Sequence, residues 1–559
     1  MALRFAEKAE AAHDVPLTIR HLLDTALVTS ADQEIVYRGD VRITYREFRA
    51  RLGRLANALT ALGATEGMTI GVLDWDSHRY LECYFAVPML GAVLQTVNVR
   101  LPPAQVADTI NRAGAEILLV HRDFLPLVEA LRGALPKVRV IVALMDGEAI
   151  NGEVGAPDYA AGEYERLLQD ADPGFAFRDF DENAMATIFF TTGTTGSPKA
   201  VCFTHRQIVL HTLAANGAFG VLRSRGFGAD DVYMPLTPMF HVHAWGVPYI
   251  ATMLGVKQVY AGRYDPDTIL DLRAREGVTF SHCVPTILQM ILSAADRRGD
   301  DLTGWLMTIG GSALTQALCR DGRRRGMDLI AGYGMSETAP TLAVSRPRRT
   351  RGTNGPKDRE ADEVEALTMA GVPLPLVSVR VVDEAMRDVP ADGVTRGELV
   401  VRAPWLTGCY VGDARASDAL WRGGWLHTQD VATLNAEGYV QIRDRLKDVI
   451  KTGGEWLCSV TLEDLIADLP GIESVAVIAV PHPRWGERPL GVVVPAPGHA
   501  VTLEQVNHRL ETAIAGGEIS RYGRLDALEL VETMPKTSVG KIDKKALRAR
   551  FAAATGAPA

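Results

Sequence analysis

The amino-acid sequence predicts an α/β fold in which helices cover a mostly parallel sheet. Short apolar runs predict strands at residues 68–73, 92–97, 116–120 and 138–144. Segments with a helical pattern separate these runs, at residues 79–90 and 103–113. Strands that alternate with helices favour a parallel sheet, whose ligands bind beyond the carboxyl ends of the strands. At 559 residues the chain is long enough for two or more domains.

The clearest helix is expected over residues 44–64, before the first of these strands. Apolar side chains recur there at steps of three and four, which places on one face Phe48, Leu52, Leu55, Leu59 and Leu62. Thr44 and Glu47 have the spacing of a capping box, and Gly63 predicts the end of the helix.

Composition excludes several classes of protein. The net charge of −9 gives no basic face for a nucleic acid, so we expect no nucleic-acid partner. The charged N-terminus does not resemble a signal peptide. The longest apolar run, residues 85–94, is interrupted by Pro88 and Gly91 and is too short for an integral membrane segment. Six cysteines without a Cys-x-x-Cys pair predict reduced thiols in a cytoplasmic protein.

Residues 191–199 form the most informative stretch, and they follow a predicted strand at 184–190. Glycines let backbone N–H groups turn toward one point, threonine and serine add hydroxyl donors, and Lys199 brings a positive charge. This mixture suits a polyphosphate. An ordinary polar turn is the alternative. The stretch is not the P-loop of kinases and GTPases, because Gly193 and Gly196 stand too close together.

The stretch resembles the phosphate loop of the adenylate-forming superfamily, which includes acyl-CoA synthetases, luciferases and the adenylation domains of peptide synthetases. The usual pattern is Tyr/Phe-Thr-Ser-Gly-Thr-Thr-Gly-x-Pro-Lys-Gly, and this chain departs from it at Thr192 and Ala200. The resemblance implies that ATP phosphates are held by Thr191, Thr192, Gly193, Thr194, Thr195, Gly196 and Lys199.

Two later strand ends resemble further motifs of the superfamily. Residues 308–313 resemble the turn that packs against adenine, which implies contacts from Gly311, Ser312 and Ala313. The next stretch resembles Gly-Tyr-Gly-x-Thr-Glu, and the implied nucleotide contacts are Gly332, Tyr333, Gly334, Met335 and Ser336. By residue type alone, Tyr333 suits stacking on a base and the Glu337 carboxylate suits Mg²⁺. The resemblance implies that Thr191 and Glu337 bind the metal ion and that both are catalytic residues.

Two charged stretches complete the resemblance within the large domain and its linker. Residues 424–430 resemble Gly-Trp-x-x-Thr-Gly-Asp, with Gln429 in place of glycine, and imply that Asp430 holds the ribose. Residues 444–456 resemble the linker between a large and a small domain. There the resemblance implies that Arg445 contacts ribose and that Lys447 is the hinge position. It also implies that the nucleotide is approached by Lys447, Lys451 and Trp456.

The remaining residues predict a small α/β domain, with strands at 474–480 and 491–494 and a helix at 503–515. Lys541 follows a Ser/Gly turn, where a lysine is ordinarily only solvated. The resemblance instead makes Lys541 the catalytic lysine. It implies a large domain of sandwiched, mostly parallel sheets with helices at 1–443, a hinge at 444–451, and a small mobile domain at 452–559.

Residues 238–246 carry two histidines, His241 and His243, two positions apart. No third ligand stands at a suitable spacing, so a metal site is disfavoured and a helix start with aromatic core residues is the plain alternative. The resemblance implies that His241 flanks the acyl group and that Trp245 gates an acyl tunnel. Residues 345–366 are hydrophilic, and an irregular solvated loop is expected there.

The resemblance implies an AMP-forming acyl-CoA synthetase. It would use ATP, Mg²⁺ and coenzyme A, and its acid would be a medium- to long-chain fatty acid. Alicyclic, aromatic and dicarboxylic acids remain alternatives, as does the loading of a carrier protein. A homodimer and acetylation of Lys541 by a lysine acetyltransferase are further candidate interactions.

Overall fold

The computed structural model describes residues 3–146, 156–191, 198–221, 226–346, 356–453, 455–537 and 540–552. The strands are β1 (Glu34–Tyr37), β2 (Val41–Thr44), β3 (Thr69–Leu73), β4 (Val93–Thr96), β5 (Ala115–His121), β6 (Val140–Leu144), β7 (Gly162–Glu163), β8 (Met185–Phe190), β9 (Ala200–Thr204), β10 (Val232–Pro235), β11 (Lys257–Tyr260), β12 (Phe280–Cys283), β13 (Leu306–Ile309), β14 (Asp328–Gly334), β15 (Thr341–Val344), β16 (Val372–Pro373), β17 (Ser378–Val382), β18 (Gly397–Arg402), β19 (Leu426–Leu434), β20 (Val440–Arg445), β21 (Ile450–Thr452), β22 (Glu455–Leu457), β23 (Ile472–His482), β24 (Gly486–Pro495) and β25 (Ala527–Leu530).

The helices are α1 (Asp24–Thr29), α2 (Tyr45–Ala61), α3 (His78–Met89), α4 (Pro103–Ala113), α5 (Leu125–Leu131), α6 (Tyr164–Gln169), α7 (His205–Phe219), the single turn α8 (Val242–Trp245), α9 (Val247–Leu254), α10 (Pro266–Glu276), α11 (Pro285–Arg298), α12 (Gln316–Arg324), α13 (Pro356–Thr368), α14 (Ala414–Leu420), α15 (Ser459–Ala467), α16 (Leu503–Ala515) and α17 (Lys544–Ala552).

Two large, mostly parallel sheets form the body of the fold. The nine-stranded sheet has the order β16-β15-β14-β13-β12-β10-β11-β1-β2, and the run from β14 to β1 is parallel. The seven-stranded sheet has the order β7-β6-β5-β3-β4-β8-β9 and is parallel except for β9. Helix α3 is buried along its whole length and contacts β1 of one sheet and β4 of the other. The predicted sandwich of parallel sheets and helices is therefore confirmed.

Two further sheets are antiparallel or nearly so, and the sequence did not predict this. Strands β17 to β20 form a four-stranded antiparallel sheet. In the five-stranded sheet of the C-terminal part, β25 pairs in parallel with β24 and the other strands pair antiparallel. One apolar core runs from Ile19 to Val440, and two smaller cores lie between Ile450 and Phe551. The chain therefore has a large N-terminal and a small C-terminal part, while the limits 1–443, 444–451 and 452–559 remain predictions.

Local sequence rules account for many of the element boundaries. The predicted capping box is present at the start of α2: the Glu47 N–H donates to Thr44 Oγ1 (3.2 Å), and the Thr44 N–H donates to Glu47 Oε2 (2.7 Å). The helix ends at Ala61, three residues before the predicted limit, and Gly63 follows with a φ of +92°. The predicted helices at 103–113 and 503–515 match α4 and α16.

The expectation of an irregular loop over residues 345–366 was wrong for its later part. Helix α13 occupies Pro356–Thr368, while residues 347–355 lie outside the described part of the chain. Val364, Ala366 and Leu367 are buried, and Glu363 forms an ion pair with Arg323 (3.1 Å). The apolar residues occur only at the end of a long charged segment. They span too few residues for a helical periodicity to be recognised in the sequence.

Helices α2, α3 and α6 are joined by an ion-pair network around Arg51. Arg51 Nε lies 2.5 Å from Glu82 Oε1, and its Nη1 lies 2.8 Å from Glu165 Oε2. The Tyr164 hydroxyl donates to the other oxygen of Glu82 at 2.5 Å. Glu82 is completely buried, so its charge depends on these partners.

An Arg51→Met variant is expected to lower the free energy of unfolding of the large domain by about 3–5 kcal/mol, because it leaves the buried Glu82 without its positive partner. Denaturant unfolding followed by tryptophan fluorescence measures this loss. Arg139→Gln is the matched control, since it breaks an exposed ion pair with Glu116 and should cost less than about 1 kcal/mol. Similar losses for both variants would contradict the assignment.

Candidate active site

Four of the predicted site residues lie at or just beyond the carboxyl ends of parallel strands from both large sheets. Thr191 directly follows β8 of the seven-stranded sheet. In the nine-stranded sheet, His241 follows β10 after a short loop, Gly311 follows β13, and Tyr333 is the penultimate residue of β14. Parallel strands of a sheet end at one edge, which explains why these distant segments converge there.

The phosphate loop is closed at its base by backbone hydrogen bonds. The Thr191 N–H donates to the Lys199 carbonyl (2.9 Å), and the Lys199 N–H donates to Thr191 Oγ1 (3.3 Å). The Lys199 ammonium lies 4.5 Å from the centre of the Tyr410 ring. Five predicted phosphate contacts lie outside the described residues: Thr192, Gly193, Thr194, Thr195 and Gly196.

Glu337 is a buried carboxylate beside this loop. Its side chain accepts a hydrogen bond from the Tyr410 hydroxyl (2.6 Å), and its carbonyl accepts one from the Thr407 N–H (2.9 Å). Burial raises the pKa of Glu337, while the Tyr410 hydrogen bond and the charges of Arg445 and Lys199 oppose that shift. The raised pKa means that the protein does not fully compensate the charge of the Glu337 carboxylate. An added cation would therefore stabilise its ionised form.

Asp430 joins two of the predicted ribose and base contacts. The Tyr333 hydroxyl donates to Asp430 Oδ2 (2.6 Å), and Arg445 Nε lies 3.1 Å from Asp430 Oδ1. Asp430 is 2% exposed, and its charge raises the pKa of Arg445. The structure therefore brings together Tyr333, Asp430 and Arg445, which the sequence placed in three separate motifs.

The small domain inserts Lys541 into this cleft. The Thr537 N–H donates to the Lys541 carbonyl (2.7 Å), and an isolated antiparallel bridge joins Lys536 to Ile542. The Gly540 carbonyl accepts from Thr286 Oγ1 of the large domain (3.0 Å). Lys541 lies so close to Gly311 that a Cβ on this glycine would be 3.1 Å from Lys541 Cε.

Electrostatics distinguish Lys541 from a surface lysine. The pKa of Lys541 is lowered to about 8: burial is the main cause, the charges of Arg445 and Lys447 act in the same direction, and the carboxylates of Asp430 and Glu337 oppose them. A buried ammonium has lost its hydration. A nearby anion such as a phosphate therefore stabilises its charged form strongly.

The turn α8, which His241 directly precedes, lies against Gly310, the neighbour of Gly311. Burial lowers the pKa of His241 to about 3, and the charges of Lys541 and Arg100 add to this effect, so the imidazole is neutral. Trp245 is 9% exposed; its ring lies 5.1 Å from the His282 ring, and a Cβ on Gly310 would be 3.0 Å from Trp245 Cη2. Trp245 thus fills the space beside Gly310, in the turn that follows β13.

The backbone of α8 is strained. Four consecutive non-glycine residues have a left-handed φ, namely Val242 (+49°), His243 (+54°), Ala244 (+46°) and Trp245 (+60°). This conformation costs about 1–2 kcal/mol per residue and persists only where packing holds it. The His243 ring supplies such packing, with centroids 5.6 Å from Tyr84 and 5.3 Å from Phe189. His243 is therefore a core residue, and no cluster of three metal-ligating side chains occurs among the described residues.

The chain matches two family profiles. The profile described as AMP-binding enzyme matches residues 23–411, and the AMP-binding enzyme C-terminal domain matches residues 461–541. The chain belongs to the AMP-binding enzyme family. This confirms the predicted adenylate-forming superfamily.

Curated relatives of this AMP-binding enzyme cover nearly its whole length. A long-chain-fatty-acid–CoA ligase of Thermus thermophilus is 41% identical over 96% of both chains. A 3-methylmercaptopropionyl-CoA ligase of Ruegeria lacuscaerulensis is 36% identical over 96% of this chain and 97% of the relative. A medium-chain-fatty-acid–CoA ligase of Ectopseudomonas oleovorans is 33% identical over 96% of each.

A solved structure confirms the fold of this AMP-binding enzyme. The anthranilate CoA ligase AuaEII in complex with anthranoyl-AMP aligns with a TM-score of 0.83, covering 97% of this chain and 99% of the other at 23% identity. At that identity the likeness establishes the fold alone. Among the described residues, no helix combines the length and the apolar character needed to cross a bilayer.

Lys451 and Trp456 are predicted nucleotide contacts that the structure does not join to the other site residues, whereas Lys447 lies within electrostatic reach of Asp430 and Lys541. The Lys451 ammonium lies 5.3 Å from the Trp456 ring, and Trp456 is 39% exposed. The Trp456 carbonyl accepts from Arg396 Nη1 (2.8 Å). Burial lowers the pKa of Lys447. Lys451 and Trp456 thus pair with each other on β21 and β22, and their nucleotide contacts remain predictions.

Two of the other predicted nucleotide residues, Gly332 and Gly334, stand where the structure leaves no room for a side chain. A Cβ on Gly334 would lie 1.9 Å from the Pro340 carbonyl oxygen, and one on Gly332 would lie 2.9 Å from Thr308. Met335 and Ser336 lead into a short 3-10 turn that carries Glu337. Ser312 and Ala313 are exposed after β13.

Tyr410 is a site residue that sequence reasoning missed. An isolated bridge between Val201 and Tyr410 places its ring beside the phosphate loop, and its hydroxyl reaches Glu337. No local motif surrounds Tyr410. Only the pairing of two segments distant in sequence identifies it.

Gln429 occupies a position where the superfamily pattern has glycine, and its φ is +59°. A Gln429→Gly variant is expected to keep or raise stability, because glycine adopts this conformation without strain. Gln429→Val should lose about 1–2 kcal/mol relative to it, since a β-branched side chain is worse placed there. Thermal unfolding checks the order. Equal stability of the two variants would contradict the assigned strain.

Proposed function

We propose that this AMP-binding enzyme is an ATP-dependent carboxylate–CoA ligase for medium- to long-chain fatty acids. It would form an acyl adenylate with release of pyrophosphate and then transfer the acyl group to coenzyme A. The insertion of Lys541 from the small domain against Gly311, beside Asp430 and Glu337, carries the proposal. The relatives named as long-chain and medium-chain fatty-acid–CoA ligases support the choice of substrate.

In the first half-reaction a carboxylate oxygen of the acid attacks the α-phosphorus of ATP, and the bond to pyrophosphate breaks. Two anions approach each other in this step, so positive charge at the phosphates lowers the barrier. Protonated Lys541 and Lys199 supply that charge, with donors from the phosphate loop. Asp430 and Arg445 would hold the ribose, and Tyr333 would lie against the base.

Mg²⁺ fits the residues of this cleft. Glu337 is a carboxylate whose pKa burial raises, and Tyr410 holds it in place through Oε1. Mg²⁺ is commonly bound by one or two carboxylates together with substrate phosphates, so Glu337 and the Thr191 hydroxyl form an adequate protein contribution. When bound, the ion would neutralise charge on the phosphates of ATP.

In the second half-reaction the sulfur of CoA attacks the acyl carbonyl, and the bond to AMP breaks. Lys541 occupies the cleft in the present conformation, so this step would require the small domain to move. Arg445 contacts Asp430 of the large domain, whereas Asp448 forms an ion pair with Arg548 of the small domain (2.6 Å). Lys447 lies between these two anchor points, which supports a hinge within residues 444–451.

Three subsidiary proposals concern partners and location. A neutral acetyl-lysine at position 541 would lack the charge that the first half-reaction needs, so an acetyltransferase acting on Lys541 would switch the enzyme off. Mass spectrometry of the purified protein with a matched activity assay tests this. The family resemblance suggests a homodimer, which light scattering tests. The six cysteines without a Cys-x-x-Cys pair suggest a cytoplasmic location, which fractionation of the producing cell tests.

The substrate is tested by measuring acyl-CoA, AMP and pyrophosphate with acids from acetate to palmitate, and with benzoate, cyclohexanecarboxylate and pimelate. The fatty-acid proposal predicts the highest kcat/KM between octanoate and palmitate, and a CoA-dependent turnover. An aromatic, alicyclic or dicarboxylic acid at the head of the series would overturn the substrate. Pyrophosphate release without acyl-CoA would favour a carrier protein as acceptor.

Lys541→Ala is expected to slow adenylation by about 10²–10³-fold, because it removes one placed cation from the phosphates. Thioester formation from supplied acyl adenylate should be spared, since that step does not use Lys541. Acid-dependent ATP–pyrophosphate exchange and acyl-CoA formation measure the two steps separately. An equal loss in both would remove the proposed role.

The pH dependence of adenylation gives a second test of Lys541. Its pKa of about 8 means that the ammonium is protonated below pH 8 and loses its charge as the pH rises through 8. The kcat/KM of the exchange reaction is therefore expected to fall above about pH 8, because kcat/KM reports the free enzyme. In Lys541→Arg the fall should be absent, since a guanidinium stays charged. An unchanged alkaline limb in that variant would assign it to another group.

A further inference from the structure

Two cysteines face each other where the segment that carries Tyr410 meets β9. Val201 of β9 and Tyr410 form an isolated antiparallel bridge. In an antiparallel pair the next opposed residues are found by one step forward on one strand and one step back on the other. That step places Cys202 directly opposite Cys409, two residues that stand 207 positions apart in the sequence numbering and that no local motif connects.

Hydrogen bonds on both sides of the bridge fix this register. The Val411 N–H donates to the Ala200 carbonyl (2.9 Å), and the Thr407 hydroxyl lies 3.0 Å from the carbonyl oxygens of both Cys202 and Cys409. Directly opposed residues of an antiparallel pair have Cα atoms about 4.5–5.5 Å apart. A disulfide needs a Cα separation of about 4.4–6.8 Å, so the backbone already holds this pair within bonding range.

These are also the two cysteines that solvent reaches. Cys202 and Cys409 are free thiols and half-buried, and Gly408 beside them is exposed. The two thiols interact directly: burial is the main cause that raises the pKa of Cys202 to about 11, and the charge and the hydrogen bond of Cys409 add to it. The four other cysteines are buried, namely Cys83, Cys283, Cys319 and Cys458. A small oxidant from solvent therefore meets this pair first.

The segment that carries Cys409 also holds Glu337 in the active site. Tyr410 directly follows Cys409, and its hydroxyl donates to Glu337 Oε1 (2.6 Å). The Thr407 N–H donates to the Glu337 carbonyl (2.9 Å). The Tyr410 ring lies 4.5 Å from the Lys199 ammonium. A displacement of residues 407–410 would therefore disturb both the carboxylate that suits Mg²⁺ and the lysine of the phosphate loop.

Closure of a disulfide would displace this segment. Directly opposed residues of an antiparallel pair have Cβ atoms about 4.5–5.5 Å apart, whereas a disulfide needs about 3.5–4.5 Å. The two chain segments must therefore approach each other by roughly 1 Å. Strand β9 is held by its pairing with β8, so residues 407–410 are the part that moves. A movement of this size is enough to break the hydrogen bond between Tyr410 and Glu337.

We propose that Cys202 and Cys409 form a reversible disulfide that weakens the binding of Mg²⁺–ATP and thereby slows adenylation. The oxidant is hydrogen peroxide. One thiol becomes a sulfenic acid as the O–O bond breaks and a first water leaves, and the second thiol then attacks that sulfur and releases a second water. A dithiol reductant returns both thiols by exchange. The effect on adenylation rests on the proposed ligase function, whereas the disulfide and its effect on nucleotide binding do not.

The test is treatment of the full chain with hydrogen peroxide, followed by trypsin digestion without reductant and mass spectrometry. The expected product joins peptide 200–206 to peptide 403–415, each of which contains one cysteine. Calorimetric titration with Mg²⁺–ATP should show an affinity about tenfold lower after oxidation, because a hydrogen bond to a charged group is lost. The rate of ATP–pyrophosphate exchange should fall with it, and dithiothreitol should restore both.

Variants of the cysteines and of Tyr410 locate the effect. Cys202→Ala and Cys409→Ser should each keep the exchange rate of the untreated enzyme and resist peroxide. Cys319→Ala removes a buried cysteine of α12 and is the matched control, which should stay as sensitive as wild type. Tyr410→Phe should bind Mg²⁺–ATP more weakly from the start. Oxidation should weaken its binding little further, since the hydroxyl that closure displaces is already absent.

The absence of the linked peptide, or a linked peptide with unaltered affinity for Mg²⁺–ATP, would overturn the proposal. Equal loss of activity in Cys409→Ser and wild type would also overturn it, because the damage would then lie elsewhere. Peptide mapping and calorimetry need no turnover. A linked peptide with weakened nucleotide binding in a protein that makes no acyl-CoA from any acid would therefore support the disulfide and contradict the ligase function.

Discussion

The active site depends on the carboxylate of Asp430. It lies in β19 of the antiparallel sheet, accepts a hydrogen bond from Tyr333 of the nine-stranded sheet, and pairs with Arg445, where the chain leaves for the small domain. Three parts of the protein therefore meet at one buried anion. A buried carboxylate is stable only with such partners, so the sheet positions and the path of the linker are fixed together.

The charges around Asp430 show what the cleft is prepared to bind. Lys541 enters from the small domain and has a pKa lowered by burial, while Glu337 has a pKa raised by burial. The surrounding protein does not fully compensate the charge of either side chain. A metal-bound polyphosphate would satisfy both at once, because its anionic oxygens suit the ammonium and its cation suits the carboxylate. The electrostatics and the family membership thus agree on a nucleotide-activating enzyme.

Sequence patterns predicted those parts of the structure that local rules determine. The capping box of Thr44 and Glu47 and the helix at 103–113 needed only neighbouring residues. The motif resemblance named Tyr333, Asp430 and Arg445 separately, and the structure shows them in contact. Gln429, in place of the pattern's glycine, keeps the left-handed backbone despite its side chain.

The remaining features depend on contacts between distant segments. Tyr410 reaches Glu337 only because its segment forms a bridge with Val201 of β9, and a cavity near Trp75 needs segments that follow strands of both sheets. The helix Pro356–Thr368 is stabilised by burying Val364 and Leu367 against the rest of the large domain. Tertiary packing of this kind overrides a weak local pattern.

The central claim is that one cleft first adenylates an acid and then passes the acyl group to CoA. A rapid-quench experiment with enzyme, ATP and octanoate, without CoA, tests it most directly. The account predicts a burst of pyrophosphate equal to the active-site concentration, with octanoyl-AMP retained on the protein, and its conversion to octanoyl-CoA and AMP when CoA is added. Release of ADP and phosphate, or no pyrophosphate until CoA is present, would contradict it.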